Sequence, residues 1–518
     1  MLGSRIMSRP VDRVSPEETR VSPTDAAPAE SKRFFIGLSA ITAAALAWRV
    51  FYVIHEDGGK HPRILLNGDA AYYHWEANIV AKGLGFIDPT RYELFGLKTP
   101  SAGHPPAYML YLAAVSRFIG TSELTHRLAS TLLGAGAVFA IGMLARRIFG
   151  SDWAGWTAAV FAGVYAHLWI NDEMLMSESM YVLTTAIAVL AAYRFWDAPR
   201  RRTAALMGLG IALAALSRAE AVSLFPFLAI PFAILVTRRD GNGIQWKRGV
   251  KYALTACVAG GLLMLPWVAY NVTRFDHPVY VSNGVGSVLM TANCDSTVPP
   301  GEPDAGAYRG TFHGQYVGYW SIYCTAGLNA KFDKFYAPKR AAYLKQQLGD
   351  IPGTDINFFG DESTHELAWR AVGTAEIKDH LSQMPWMFTL RIARMWDFFR
   401  PNQNIFLNGL LEGRGEWQSR LATYQYFPLL GLSLVGLVLL RRRRVPILPF
   451  LAIAATITIT AATSFGVTRY RAPVDGMLPV LAAGAVVWAV EWVIARRRST
   501  NPSATAPPEG APVELVAP

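Results

Sequence analysis

The chain has 518 residues, of which 52% are hydrophobic and 17% charged, with a formal net charge of +11. Its mean hydropathy is +0.22. A soluble chain of this length would usually split into several domains. Here apolar runs recur instead, each long enough for a hydrocarbon core of about 30 Å. The positive balance does not point to nucleic acid, because much of it sits in short Arg clusters at the ends of apolar runs, a mark of membrane topology. The fold class expected is an all-α polytopic membrane protein.

Residues 1–33 are polar, lack an apolar face and are expected to be a disordered cytoplasmic tail. No cleavable signal peptide is read ahead of the first apolar run, 34–54, which is itself a spanning anchor. Lys32 and Arg33 place its start inside, so the chain emerges near His55. The next basic pair, Arg146 and Arg147, ends the run 128–144. If that pair is inside, a first loop at 55–126 lies outside, and the apolar piece 105–118 is a short surface helix rather than a crossing. The same alternation predicts further crossings at 153–170, 176–195, 203–217, 221–236, 250–270, 421–440, 446–465 and 474–494, about ten in all with both termini cytoplasmic. The stretch 203–236 would make one helix of roughly 51 Å, too long for a single crossing. It therefore turns at Ser217, Arg218, Ala219 and Glu220, slightly below the outer surface.

This gives a transmembrane catalytic module at 34–270, an extracytoplasmic loop domain at 271–420, a three-helix part at 421–498 and a disordered tail at 499–518. The loop domain reads as small and mixed. Residues 277–290 are β-prone, 328–348 and 364–384 look helical, and 387–399 is an amphipathic, Arg-bearing stretch suited to the membrane surface. Cys294 and Cys324 both fall in this loop, where an oxidising compartment would let them pair. Cys257 lies in a span as a small apolar packer. The histidines are scattered, so no zinc site is indicated; a divalent metal remains open, and no other cofactor is implied.

Ionisable residues gather at the outer ends of the spans: Asp69 and His104, then Asp172, Glu173 and Glu178, then Arg218 and Glu220, then Arg469, Arg471 and Asp475. Such groups at membrane depth are costly and usually functional. A transporter more often sets its site near the midplane between repeated halves, and no such repeat is visible. One-sided clustering suits an enzyme working at the outer surface. An acidic group in an aromatic loop suits a general base that deprotonates a hydroxyl. Nearby cations suit phosphate. Tyr72, Tyr73 and Trp75 suit a sugar face or a lipid chain. Together they suggest sugar transfer from a lipid phosphate to a hydroxyl. Structural alternatives stand beside these roles: Asp69 as a helix cap, His104 as a turn residue, Arg218 with Glu220 as an ion pair, Asp172 or Glu173 in place of Glu178, and the aromatics as an interfacial belt.

The pattern resembles the family 39 glycosyltransferases of the C-type superfamily, which include protein O-mannosyltransferases and lipid A aminoarabinose transferases. The resemblance rests on Asp69 with Tyr72 and Tyr73, followed by Gly83, Gly85 and Phe86. It rests also on His104, Pro105, Pro106 and Tyr108; on Leu175, Met176, Ser177 and Glu178; and on Arg469, Tyr470, Arg471 and Pro473. It implies an inverting glycosyltransferase of the plasma membrane, with its site on the outer face, a polyprenyl-phosphate sugar as donor, and a glycan, lipid or protein hydroxyl as acceptor. On that resemblance Asp69 is the catalytic base, Glu178 a supporting acid, and His104, Arg471 and Arg218 the donor phosphate ligands. Several relatives carry an acidic pair in the first loop where this chain has the single Asp69, and some carry Lys where it has His104. The competing readings are a transporter or flippase of lipid-linked sugar, and a non-catalytic assembly subunit.

Overall fold

The computed structural model describes residues 32–57, 68–240, 243–294, 297–298, 317–321, 324 and 361–500. The two expected tails fall almost wholly outside them, as does the helix expected at 328–348. In chain order the helices are α1 (Lys32–Asp57), α2 (Asp69–Ala81), α3 (Pro89–Phe95), α4 (Pro106–Phe118), α5 (Glu123–Phe149), α6 (Asp152–Val164), α7 (Ala166–Glu173), α8 (Glu178–Asp197) and α9 (Arg201–Ser217). There follow α10 (Ile230–Leu235), α11 (Trp246–Val272), α12 (Val285–Ala292), α13 (Glu362–Asp379), α14 (Met384–Met395), α15 (Pro401–Glu412), α16 (Glu416–Arg442), α17 (Leu448–Thr463) and α18 (Ala472–Thr500). Among the described residues there is no strand, only an antiparallel bridge between Ile87 and Pro100.

Seven helices are long and apolar enough to cross a membrane: Lys32–His55, Glu123–Phe149, Glu178–Asp197, Ala219–Arg238, Trp246–Val272, Glu416–Arg442 and Thr468–Arg497. The chain is an integral, multi-pass membrane protein. Three of the ten expected crossings are helical but fall short of that length. They are α6 with 13 residues, α9 with 17 and α17 with 16. At 13 residues α4 is also too short to cross, as charge parity requires.

The shortness of α6 has a local cause. The helix breaks at Tyr165, whose extended conformation starts α7 on a new axis. A break inside a bilayer strands backbone polar groups. Here Gln425 of α16 repairs it, its amide nitrogen donating to the Val164 carbonyl and its oxygen accepting from the Ala166 N–H at 2.8 Å. Behind the break, Arg49 of α1 donates to Asp172 of α7 at 2.8 Å in a fully buried pair, with Ser179 completing the carboxylate at 2.6 Å. Gly134 of α5 makes room for this pair. A Cβ there would sit 2.3 Å from the nearer Asp172 oxygen. Gly134→Ala is therefore expected to cost about 2 kcal/mol by overpacking, read as a lower thermal midpoint in detergent.

The ends of the bundle are distinct. Arg147 pairs with Asp197, the Tyr252 hydroxyl donates to the Pro199 carbonyl, and the Tyr193 hydroxyl to the Pro446 carbonyl. The Arg clusters of 146–147, 200–202 and 441–444 thus share one end. The opposite end carries α2 to α4 and the described parts of the 271–420 loop.

That loop departs from expectation in two places. The β-prone run 277–290 gives irregular chain and then α12. Instead of pairing in a sheet it lies across the end of α11, where Trp267 Nε1 donates to the Val281 carbonyl and the Asn271 amide to the Tyr280 carbonyl. The amphipathic stretch lies in α14 with its arginines turned inward. Arg391 donates to the Ala292 carbonyl at 2.6 Å and to Asn293 at 2.8 Å, while Arg394 donates to Asn404 at 2.8 Å and to the Val317 carbonyl at 3.0 Å. Trp386, Phe388 and Phe398 face outward instead. Cys294 and Cys324 are joined in a disulfide with a Cα–Cα distance of 5.4 Å.

Candidate active site

Asp69 is the first residue of α2. The cap position before it is Gly68, at φ 123°, a left-handed conformation that only glycine adopts readily. The side chain of Asp69 is therefore not consumed as a cap. It is 27% exposed at the rim of the site. Arg469 Nη1 lies 2.8 Å from one carboxylate oxygen and His104 Nε2 lies 3.6 Å from the other. Burial alone would raise the pKa of Asp69, but Arg469 first and His104 next outweigh it, holding the carboxyl below the usual carboxylate range. The group is ionised and poised to accept, with its basicity held down by its cations.

His104 comes from the turn before α4, where Pro105 and Pro106 fix the entry into the helix. Its ring packs against Tyr73 at 4.7 Å and Tyr72 at 5.0 Å between centroids. The Tyr73 hydroxyl donates to Ser177 at 3.0 Å, tying α2 to the start of α8. The two tyrosines thus wall and support the site, while Trp75 lies half-buried on the same helix.

Glu178 opens α8, where the helix dipole favours a negative charge. It is delivered by a turn in which Leu175, buried, takes φ 52°. A non-glycine residue there stores strain, and such strain tends to gather at functional sites. Glu178 is 1% exposed; Oε1 accepts from Arg218 Nη1 at 2.7 Å, and Oε2 has no hydrogen-bond partner. Arg218 also donates to Glu220 at 2.7 Å. The Arg218–Glu220 pair is therefore both a local ion pair and one wall of the site.

Arg469, in the 3-10 turn Thr468–Arg471, connects these groups. Besides Asp69 it reaches Glu412 Oε2 at 3.0 Å, and its Nε lies 4.0 Å from Glu178. Arg471, two residues on, does not join them. It is 0% exposed, pairs with Asp397 and Asp475 at 3.0 Å each, contacts His167 at 3.0 Å and stacks over Tyr426. The 3-10 turn sends the two arginines to different surroundings: Arg471, expected as a phosphate ligand, is enclosed by its own carboxylates, while Arg469 stands beside Asp69. The alternative acids are likewise occupied. Asp172 holds Arg49 and Glu173 holds Arg127.

Glu412 escaped the sequence reading. It ends α15 just before Gly413, Arg414 and Gly415, inside a loop whose pairing with the spans has no local pattern. A clue was available in an acidic residue placed next to two glycines immediately before a span. Among the described residues no group of three His, Cys, Asp or Glu side chains is placed to hold a metal ion.

Residues 103–270 match the family described as dolichyl-phosphate-mannose-protein mannosyltransferase. The matched segment contains His104, Glu178 and Arg218 and begins after Asp69. It bears out the resemblance to C-type glycosyltransferases read from the motifs. Comparison with curated proteins gives no match. Among solved structures the chain is similar to the archaeal oligosaccharyltransferase AglB from Archaeoglobus fulgidus in complex with an inhibitory peptide and a dolichol-phosphate. The identity is 14% and the TM-score 0.44, over 90% of this chain and 52% of that one. It is also similar to ArnT from Cupriavidus metallidurans bound to undecaprenyl phosphate, at 14% identity and TM-score 0.33, over 92% and 82% of the two chains. The chain thus spans about half the length of AglB.

Proposed function

We propose that this protein is an inverting glycosyltransferase that moves a sugar from a polyprenyl-phosphate donor to an acceptor hydroxyl at the outer face of the membrane. The observation that carries this reading is the partly exposed, ionised Asp69 held between Arg469 and His104, with Arg218 behind. A lone base next to cations matches a reaction whose leaving group is already a good one. A lipid phosphate departs without protonation, so the paired acid needed in glycoside hydrolysis is not required.

In the transfer, Asp69 takes the acceptor's hydroxyl proton. The acceptor oxygen attacks the anomeric carbon from the face opposite the phosphate. The carbon–oxygen bond to phosphate breaks, and the lipid phosphate leaves with the bonding electron pair. Arg469, Arg218 and His104 stabilise the charge that grows on it. Both arginines are held by carboxylates. The donor phosphate competes for Arg469, and each share of that cation it takes restores basicity to Asp69. Donor binding and activation of the base are thereby coupled. Glu178, buried with one oxygen free, keeps Arg218 and Arg469 oriented.

The reading is tested by incubating purified protein in lipid vesicles with labelled polyprenyl-phosphate sugars and a mixture of envelope acceptors. One free lipid phosphate should appear for each glycosidic bond formed. Movement of labelled lipid across the bilayer without a new bond would replace the enzyme with a carrier.

A further inference from the structure

A second cluster lies behind the His104 turn. Tyr72 Oη touches Glu76 Oε1 at 3.3 Å and is in close contact with Ser101 Oγ, and Ser101 Oγ lies 3.3 Å from Glu362 Oε1. Glu362 Oε2 accepts from the Ala102 N–H and from the Asn283 amide at 3.4 Å. The Gly103 N–H donates to Tyr72 Oη at 3.1 Å. Glu76 is 0% exposed and its Oε2 has no partner. The row runs from α2, through the turn that presents His104, to the first turn of α13 in the large outer loop.

Counting hydrogens exposes a deficit. With Tyr72 donating to Glu76 and Ser101 donating to Glu362, no hydrogen remains between the two hydroxyl oxygens, although these touch. A proton on either carboxyl reverses one donor and fills the gap. Two bare carboxylates would also repel across the buried row, with Glu76 Oε2 unsolvated. The charged groups facing the pair are Arg274, which donates to the Ser101 and Phe86 carbonyls, and Asp88 ahead of α3.

We infer that Glu76 and Glu362 hold one proton between them, and that this proton-bridged row makes Glu362 a positioning residue for His104, clamping the catalytic turn to the outer-loop helix. The role given to His104 rests on the function proposed above; the shared proton does not. Burial pushes Glu362 up to about 7 and raises Glu76 well above the ordinary glutamate range. Both directions favour a proton on the pair near neutral pH, as the hydrogen count requires. Both shifts are upward, so the folded state binds these protons more tightly than the unfolded one. Their contribution to stability is full below the ordinary glutamate range and declines as pH rises.

The test compares thermal midpoints of the full-length wild type, Glu76→Gln and Glu362→Gln in detergent from pH 5 to 10. In Glu76→Gln the amide supplies the bridging hydrogen at every pH. The variant's midpoint should gain on wild type as pH rises from 7 to 10, by about 2 °C or more. A difference that stays constant with pH overturns the shared proton and leaves Glu76 as a packing residue. A second arm reads transfer. Glu362→Ala should lower kcat/KM about tenfold, with Glu362→Gln recovering most of it. Equal loss in both variants overturns the positioning role. If no variant and no wild type transfers sugar, the fault lies with the proposed reaction, and the midpoints still decide the proton.

Discussion

Asp69→Asn is expected to lower kcat for sugar transfer by about 10³-fold while tightening donor binding. The direction of the second effect separates this site from a merely structural one. Under the proposed reaction, Asp69 competes with the donor phosphate for Arg469, which it holds at 2.8 Å. The isosteric amide keeps the shape, removes the proton acceptor and releases the cation. A donor titration by fluorescence or calorimetry, run beside single-turnover transfer, measures both quantities. A variant that loses donor affinity, or one that retains turnover, rules out Asp69 as the base. A structural aspartate at a helix start would instead give a lower thermal midpoint with little change in turnover.

The second large effect divides two arginines that are neighbours in sequence. Arg469→Gln should lower transfer about 10²- to 10³-fold through the lost charge on the leaving phosphate, with the protein still folded. Arg218 continues to neutralise Glu178 in that variant. Arg471→Gln should act on folding instead. It strips the cation from Asp397 and Asp475, both buried, and abandoning one side of a buried ion pair costs about 3–5 kcal/mol. Thermal unfolding and donor binding, measured on both variants, should give opposite patterns. Weak donor binding by a well-folded Arg471→Gln protein would return the phosphate role to Arg471.

These two arginines also show what the sequence could and could not say. Apolar runs punctuated by Arg clusters report span positions directly, because bilayer thickness and charge asymmetry act on local composition. The Asp69, Tyr72 and Tyr73 spacing and the His104 turn were legible for the same reason, since each is a short stretch with its own chemistry. Which of Arg469 and Arg471 faces the site depends on the phase of a 3-10 turn, and composition does not set that phase. Glu412 and Glu362 come from a loop whose docking depends on contacts with a residue 57 positions later and a residue 260 positions earlier, respectively. The amphipathic helix α14 was visible as such, but its periodicity is the same whichever face is buried. Burying the arginines became intelligible only with Asn293, Asn404 and the backbone carbonyls that receive them.

The ion pair between Asp69 and Arg469 joins residues 400 positions apart. At about 5–20 residues per second, a ribosome needs some tens of seconds to travel that distance. The Arg49–Asp172 pair, by contrast, needs only the N-terminal third of the chain. The nascent chain thus contains both partners of the Arg49–Asp172 pair long before it contains Arg469. A chain that stops short of Arg469 lacks one partner of the Asp69 pair. On the proposed function, synthesis order therefore withholds the reactive pair until 469 of the 518 residues have been made.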